Sequence, residues 1–326
     1  MIVLSLFDGI GTGMLALKNA GIPIDKYYAS EIERKPIETA LKNHSEIIEL
    51  GDVNGIEVER LGRIDLLIGG SPCQGFSRNG KHLNFDDPRS GLFLKYVEIL
   101  EEIRKSNQNV KFMLENVRMK REWQDMITDF LEAEPVQIDS RIHTAQARER
   151  TYWTNIAEVQ QPEFEESPIR SIAEKRNMDN YIKQNGVWFD PAISEREREI
   201  VELRDGEIRV KQATKAGYIV AEDGDGINLQ FPASKTRRGR VIKGKLPTLD
   251  CSCNVCYLLD GAIHKITVRE AERAQNLPDG YTEGMTDNDA KTAIGNGWNE
   301  KTVRHIFQYL KGQENDIQTS IEKESV

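Results

Sequence analysis

The sequence places one cysteine where a nucleophile would be useful. Cys73 lies in "GGSPCQGFS", between a proline and a glutamine, directly after the apolar stretch "IDLLIGG". A thiolate that adds to an electron-poor carbon divides one difficult reaction into two easier ones. Free cysteines are often inert core residues, but a polar loop that contains glycine is a poor place for a core side chain. Cys73 is therefore a candidate nucleophile, with packing as the alternative.

Charged residues lie at one end of each of the next two apolar stretches of the chain. Glu115 lies near the end of "VKFMLENV", and Arg148 and Arg150 belong to "QARER". The spacing of two residues predicts that both arginines lie on one face of a strand. Taken singly, a glutamate at a strand end is more often a cap or solvent-facing, and such arginines are more often surface residues.

A glycine-rich turn, "FDGIGTG" (7–13), follows the first apolar stretch. Glycines in such a turn let a ligand approach the free N–H groups at a helix N-terminus. Glu31 and Asp52 come at the ends of the next two predicted strands, where carboxylates accept hydrogen bonds from ribose hydroxyls or an adenine amine. Each acid alone is as readily an N-cap. The three features together favour an adenosine-containing cofactor.

The elements that position these residues alternate between strands and helices. Helices are predicted from about Met14 to Gly21 and over 90–105, and strands are predicted at 1–7, 26–31, 47–53, 64–70, 110–117 and 150–156. This alternation predicts an α/β fold, a doubly wound Rossmann-like sheet with helices on both faces. Ligands of such sheets bind at the carboxyl ends of the strands, where the candidate residues lie.

The second half of the chain has a different character. Residues 157–234 are polar with scattered glycine and proline, and a second, smaller domain is predicted over about 157–266. "SEREREIVELR" predicts one helix that starts with a capping box of Ser194 and Glu197. Helical spacing returns at Thr267, and the last helix is expected to lie beside the first. The predicted domains are thus 1–156 with 267–312, then 157–266, then a flexible tail, 313–326.

Composition limits the classes of function. The chain of 326 residues has 38% hydrophobic residues but no apolar run long enough for a membrane helix, and its four cysteines suggest a reducing compartment. Its net charge of −9 argues against a nucleic-acid partner. The exception is "KTRRGRVIKGK" (235–245), which has six basic residues and no acid. It is either a solvated surface or a grip on phosphate.

Six short motifs, in this order, carry a family resemblance: "FDGIGTG", "GGSPCQGFS", "ENV", "QARER", "GKLPTL" and "IGNGW". They resemble the ordered motifs of the cytosine-5 DNA methyltransferases over about 1–156 and 235–312. The first motif and its surroundings are similar to the vertebrate de novo branch. The loop after Cys73 is similar to bacterial restriction-modification enzymes, which suggests a bacterial or phage enzyme in the cytoplasm.

The resemblance implies a DNA (cytosine-5-)-methyltransferase that flips its target cytosine out of duplex DNA. It implies that Cys73, preceded by Pro72, adds to C6 of the base. Glu115 would hold N3 and the exocyclic amine, and Arg150 would hold O2. Arg148 would help to position the thiol and its loop.

The resemblance also assigns the residues that bind the other partners. S-adenosylmethionine would be bound by Phe7, Gly9, Ile10, Gly11, Glu31, Asp52, Val53, Leu92, Asn296 and Trp298. DNA would be contacted by Gln74, Ser77, Lys81, Arg237, Arg238, Arg240 and Thr248, with segment 235–250 gripping the backbone without reading sequence. Residues 157–234 would read the site. A monomer without membrane contact is expected, with a cognate restriction endonuclease as a further partner.

Several alternatives stay open at this point. Cys251, Cys253 and Cys256, with His264, hint at a metal site, although small buried residues are favoured and no metal is predicted. The rival functions are a tRNA methyltransferase of the same fold and an inactive DNA-binding module. A nicotinamide dehydrogenase would explain the glycine turn but neither "SPCQ" nor "QARER".

Overall fold

A seven-stranded sheet organises the first half of the chain in the computed structural model, which describes residues 1–71 and 91–312. Its order is β3-β2-β1-β4-β5-β7-β6. The first five strands in this order run parallel, and β7 pairs antiparallel with β5. The strands are β1 (Ile2–Leu6), β2 (Lys26–Ser30), β3 (Ile47–Glu49), β4 (Leu66–Gly69), β5 (Lys111–Val117), β6 (Pro135–Asp139) and β7 (Glu149–Thr154). The α/β prediction is confirmed, and β6 is a strand that the sequence pattern did not reveal.

Helices cover both faces of this sheet, as a doubly wound fold requires. They are α1 (Thr12–Ala20), α2 (Arg34–Asn43), α3 (Gly91–Ser106) and α4 (Arg121–Leu131). One apolar cluster joins α1 to Val3 and Ile68, and the other joins α3 and α4 to Leu4 and Leu67. α1 ends at Gly21, whose φ of 70° is left-handed, so glycine suits this stop.

The second half of the chain is built largely from β-hairpins. Its strands form a three-stranded sheet, β10-β11-β12, and a six-stranded sheet, β14-β13-β15-β16-β9-β8. The strands are β8 (Ile182–Gln184), β9 (Val187–Phe189), β10 (Val201–Arg204), β11 (Glu207–Lys211), β12 (Tyr218–Ala221), β13 (Gly226–Asn228), β14 (Arg240–Ile242), β15 (Cys256–Leu259) and β16 (Ala262–Lys265). Three hairpins turn on the pairs 185–186, 205–206 and 260–261, each with positive φ at both residues. Asn-Gly and Asp-Gly favour this turn because its twist matches that of the strands.

One helix prediction in this half was wrong in length. Ser194 and Glu197 do form the predicted capping box, but the helix that follows, α5 (Glu195–Arg198), is only four residues long. The chain then enters β10 at Val201. The Asp-Gly turn after β10 explains the difference, because it pairs "VELR" with β11 and so competes with a longer helix.

The chain divides into two compact units whose limits differ from the predicted domains. The first contains 1–138, 149–162 and the end of the chain from 297; the second contains 139–148 and 163–296. Helices α6 (Val268–Ala274) and α7 (Asp287–Asn296) thus belong to the second unit. Within that unit, the Gln275 amide donates to Ile294 O and the Thr292 hydroxyl donates to Cys251 O, at 2.9 and 3.1 Å.

The last helix, α8 (Glu300–Gln308), belongs to the first unit and packs on α1. Its apolar residues Val303, Ile306 and Phe307 share one buried cluster with Ala16 and Leu17. The predicted pairing of the last helix with the first is confirmed. The predicted tail, 313–326, lies outside the described residues. None of the helices within 1–71 and 91–312 has the length and apolar character needed to cross a membrane.

Candidate active site

The glycine turn after β1 is held in a left-handed backbone by contacts to the end of β2. Phe7, Gly9 and Gly11 have φ angles of 59°, 62° and 77°. The Gly9 N–H donates to Glu31 at 2.9 Å, while the other oxygen of Glu31 accepts from the N–H groups of Ile32 and Glu33. Glu31 therefore fixes the shape of the turn with the carboxylate that was predicted to meet a ribose.

Asp8, inside this turn, is a buried carboxyl that sequence reasoning did not single out. Its Oδ1 accepts hydrogen bonds from the hydroxyls of Ser5 and Tyr27, both at 2.6 Å. Its Oδ2 is buried and has no hydrogen-bond partner within the described ranges. Burial raises the pKa of Asp8 to about 6, against the lowering effect of the two hydroxyls. The Thr12 hydroxyl, at the start of α1, is a second buried group without a partner there.

The other predicted cofactor residues of the first unit follow the ends of neighbouring strands. Asp52 is exposed and its side chain caps a short 3-10 turn through the N–H of Asn54. Val53 and Leu92 pack against the apolar cluster under α3. Ile10 is 1% exposed and lies in the core. Ile32, next to Glu31, is 71% exposed and was not predicted.

The predicted base-binding residues Glu115 and Arg150 form an ion pair. They lie on the antiparallel strands β5 and β7, and the pairing of Glu115 with Tyr152 and of Val117 with Arg150 puts them diagonally across the ladder. Arg150 Nε lies 2.8 Å from Glu115 Oε1, and the two side chains are 14% and 12% exposed. The two predicted groups are thus brought together, and each orients the other before any substrate arrives.

Trp298 completes this part of the first unit. A Cβ at Gly70 would lie 2.7 Å from Trp298 Nε1 and 3.3 Å from the Glu115 carboxylate. A Cβ at Gly13 would lie 3.3 Å from the same indole ring. Glycine at both positions therefore makes room for the ring between the start of α1 and the end of β4. Asn296, predicted beside Trp298, is an exposed residue at the end of α7 and belongs to the second unit.

The strand that precedes the predicted nucleophile ends in a buried polar contact. Ser71 is 4% exposed, and its hydroxyl accepts from the amide of Asn116, at 3.3 Å. Asn116 in turn accepts from the N–H of Val117. The predicted residues Pro72, Cys73, Gln74, Ser77 and Lys81 lie outside the described residues.

Arg148 does not share a strand face with Arg150, which corrects the expectation from their spacing. β7 begins at Glu149, and Arg148 is a buried residue of the second unit, 3% exposed. Its guanidinium donates to Leu249 O at 2.9 Å and to Gly295 O at 3.2 Å. The reason is that the residues before β7 follow segment 246–249: Gln146 bridges to Leu246, and Ala147 N–H donates to Leu246 O.

The six cations of segment 235–245 fall into two groups. Arg238 donates to Gln212 O, Lys243 pairs with Glu222 and Asp225, and Lys245 donates to two main-chain carbonyls. Exposed positions with no acidic partner in the described chain are Lys235, Arg237 and Arg240. Thr248 is exposed, and its hydroxyl donates to Ala147 O.

The cysteines of the second unit do not gather into a metal centre. Cys251 is exposed, and burial raises the pKa of Cys253 and of Cys256 to about 12. Both ring nitrogens of His264 are occupied, by the Tyr181 hydroxyl and by Leu259 O. Over 1–71 and 91–312, no group of three His, Cys, Asp or Glu side chains is arranged to hold an ion.

Sequence reasoning missed three residues with buried polar groups: Asp8, Asn116 and Gln146. All three lie inside motifs that were recognised, and for Asp8 and Asn116 a polar residue next to an apolar stretch was the available signal. Gln146 is fully buried, and its amide contacts Leu249 N, Ala274 O and the Gln275 side chain. Those partners are more than 100 residues away along the chain, so no local pattern indicates them.

Comparison with known proteins places the chain in a family. It matches the family model of C-5 cytosine-specific DNA methylases over residues 1–312. It is 42% identical to the orphan methyltransferase M.SPRI of Bacillus phage SPR over 118 residues, which are 36% of this chain and only 26% of that protein. It is 27% identical to the type II methyltransferase M1.ScrFI of Lactococcus lactis subsp. cremoris over 94% of this chain and 77% of that one.

A solved methyltransferase structure has a similar fold. The crystal structure of the S. pombe Dnmt2 methyltransferase superposes with a TM-score of 0.63 over 96% of this chain and 99% of that one, at 18% identity. With the family match over residues 1–312, the chain belongs to the C-5 cytosine-specific DNA methylase family.

Proposed function

We propose that this protein transfers a methyl group to C5 of a cytosine in a short duplex DNA site, with Cys73 as the covalent nucleophile. The observation that carries the proposal is the ion pair of Glu115 and Arg150, 2.8 Å apart and beside Gly70 at the end of β4. Cys73 follows Gly70 by three residues in the chain. A carboxylate and a guanidinium held this way offer an acceptor and donors to the edge of a pyrimidine.

The residues at the ends of β1 and β2 suit S-adenosylmethionine as the methyl donor. Asp8 has a buried oxygen without a partner in the described chain, and the Thr12 hydroxyl is in the same state. A cationic ligand would satisfy the Asp8 carboxylate, and S-adenosylmethionine carries a sulfonium and an ammonium group. The exposed side chain of Ile32 offers an apolar contact, and Glu31 and Asp52 offer acceptors.

The remaining predicted cofactor contacts are part of this proposal. They are Phe7, Gly9, Gly11, Val53, Leu92 and Trp298 of the first unit and Asn296 of the second. When bound, the cofactor supplies an electrophilic methyl group and becomes S-adenosylhomocysteine.

The chain's own residues would make C5 reactive. The Cys73 thiolate adds to C6, and the electrons of the C5–C6 double bond become available at C5. Glu115 accepts from the exocyclic amine and, as a carboxylic acid, donates to N3, while Arg150 donates to O2, so that negative charge on the ring is stabilised. After methylation, loss of the C5 proton to water re-forms the double bond and expels Cys73 as a thiolate. Pro72 and Arg148 would position Cys73 and its loop.

The base has to leave the helix before this chemistry, because C5 and C6 are covered in stacked DNA. Gln74, Ser77 and Lys81 would contact the opened site. Arg240 and Thr248 would contact backbone phosphates from the second unit. Arg238 is half-buried and bonded to Gln212 O, so we assign it to the stability of this segment as well as to the field that attracts DNA.

The two units would divide these tasks. The first would bind the cofactor and carry out the reaction, and the second would recognise the target. A monomer acting in the cytoplasm of a bacterial or phage-infected cell fits this proposal, with or without a restriction endonuclease for the same site.

The experiment is base-resolution methylcytosine sequencing of a plasmid from cells that express the protein or its Cys73→Ala variant. Methylation confined to one short motif, and absent from the variant, is the expected result. Absence of methylation with the folded wild-type protein, together with methyl transfer to tRNA in vitro, would overturn the DNA assignment. Methylation by the variant at the wild-type level would overturn the covalent mechanism.

A further inference from the structure

Among the unpaired cations of segment 235–245, Arg237 has a fixed position. Its guanidinium carbon lies 4.1 Å from the centroid of the Phe231 ring. The hydroxyl of Ser234 accepts from the N–H groups of Thr236 and Arg237, at 3.2 and 2.9 Å, and Ser234 N–H donates to Phe231 O. A stacked guanidinium loses less conformational freedom on binding than a free side chain does. Arg237 is thus exposed but ordered.

Arg209 is a second stacked arginine in the same unit, and it differs from Arg237 in having acidic partners. Arg209 lies 4.6 Å above the ring of Tyr218, but its guanidinium is also paired with Glu207 and Asp205. Those acids occupy its donors. In the described chain, Arg237 stacks on the Phe231 ring and has no acidic partner. The N–H groups along the edge of its guanidinium are therefore available to a ligand.

The neighbouring strand ends hold this loop in place. The Gln230 amide donates to the Ser252 hydroxyl at 3.1 Å, and the Gln230 N–H donates to the side chain of Asn228. Ser252 is itself bonded to Asp250. The loop that carries Arg237 is therefore joined to residues 250–252, and it does not hang free.

A fixed, stacked and unpaired arginine suits a base more than a phosphate. Phosphates are gripped well by long flexible cations, because their charge attracts from any direction. A guanine edge demands two parallel hydrogen bonds to O6 and N7, which an arginine fork provides only in one orientation. Stacking on Phe231 supplies that orientation before DNA arrives.

We infer that Arg237 reads a guanine of the recognition site through the major groove, instead of making the backbone contact that its basic neighbours suggest. This inference rests on the proposed action on DNA. Lys235 and Arg240, which have no stacking partner in the described chain, contribute to phosphate attraction only. The methylated motif therefore contains a guanine whose identity depends on Arg237.

The test is methylation of a duplex library randomised around a cytosine, read by base-resolution sequencing, with the wild type, Arg237→Lys, Phe231→Leu and Arg240→Lys. The lysine keeps the charge but not the fork. Arg237→Lys is expected to lower the preference for one guanine by roughly 10- to 100-fold, and Phe231→Leu to weaken the same preference. Arg240→Lys is expected to leave all preferences unchanged.

Each other outcome counts against the inference. An unchanged motif for both Arg237→Lys and Phe231→Leu would overturn it, as would an equal loss of methylation at all sequences. Failure of the wild type to methylate any member of the library would instead refute the proposed function, before any variant is compared. Thermal unfolding of each variant identifies a loss of fold, and Phe231→Leu then tests the geometry without altering the arginine.

Discussion

Replacing Asp8 by asparagine should make the stability of the ligand-free protein less dependent on pH and its cofactor binding weaker. The carboxyl is buried at the end of β1 with one oxygen unpartnered among the described residues. Asparagine has the same shape and keeps an oxygen that accepts from Ser5 and Tyr27. The substitution removes the charge but places an amide NH2 where Oδ2 has no partner among the described residues. The part of its effect that changes with pH therefore isolates the electrostatic cost of Asp8.

The size of the effect follows from the pKa. Burial raises the pKa of Asp8 from 3.8 to about 6. The folded protein thus holds this proton more tightly than the unfolded chain does, and the stability falls as the pH rises from about 4 to about 6. A shift of roughly two pH units corresponds to about 3 kcal/mol. The change in the free energy of unfolding caused by Asp8→Asn should therefore be more favourable at about pH 7.5 than near pH 4 by up to that amount.

Urea unfolding followed by tryptophan fluorescence measures this difference. Trp123, Trp153 and Trp298, three of the four tryptophans, lie in the same unit as Asp8. Asp25→Asn is the matched control, because Asp25 is 76% exposed and its bond from the N-terminal ammonium lowers its pKa. Any decrease that Asp25→Asn causes in the free energy of unfolding should be present above about pH 4 and absent at lower pH. This pH dependence is opposite in sign to that of Asp8→Asn.

Binding of the methyl donor supplies the second half of the test. If a cation completes the Asp8 site, calorimetry should show proton release on binding near pH 6, and wild-type affinity should rise between about pH 5 and pH 7. Asp8→Asn should abolish both effects. A stability difference between variant and wild type that does not change with pH would refute the buried, ionising carboxyl. Unchanged affinity in the variant would refute its role in the cofactor site.

Three further predictions concern the other residues of the two units. Glu115→Gln should lower single-turnover methyl transfer by about 100-fold with unchanged cofactor affinity; an equal loss of both would instead point to a general defect of the first unit. Gln146→Leu should cost about 3 kcal/mol in urea unfolding, because Leu249 N–H and other buried groups lose their partner; a cost below about 1 kcal/mol would contradict this. Lys235→Ala should reduce the salt slope of DNA binding by about 0.9, whereas Lys243→Ala, which removes a cation already paired with acids, should leave that slope nearly unchanged.

The first half of the fold could be predicted from sequence because its signals are local. A buried parallel strand is a continuous apolar run, and the first glycine or charge lies at or near its end, as Gly69 does in β4 and Glu115 does in β5. The same rule placed Glu31 at the edge of the sheet. β6 was missed because "PVQID" is short and partly exposed, so its pattern resembles that of a loop.

The hairpins of the second half have a local signal in the sequence. Asn185-Gly186, Asp205-Gly206 and Asp260-Gly261 each stand between short strands, and all three pairs have positive φ. The turn at 205–206 decided the structure of "IVELR" against its helical spacing. By contrast, Lys243 pairs with acids that are 18 and 21 residues away in the chain. This pairing depends on strand order and cannot be predicted from the number of charges in the segment.

The motif "QARER" contains residues with two different structural roles. Its last arginine, Arg150, pairs with Glu115 in the first unit. Gln146 and Arg148 donate to, or accept from, main-chain groups in the second unit, including Leu249 N and O. The spacing in the sequence predicts equivalent positions for the two arginines, but their environments differ. Arg148 is 3% exposed, and its guanidinium donates to main-chain carbonyls. Lysine at 150 would keep a charge near Glu115, whereas lysine at 148 cannot reach two carbonyls in one plane, so the second unit has the stricter requirement for arginine.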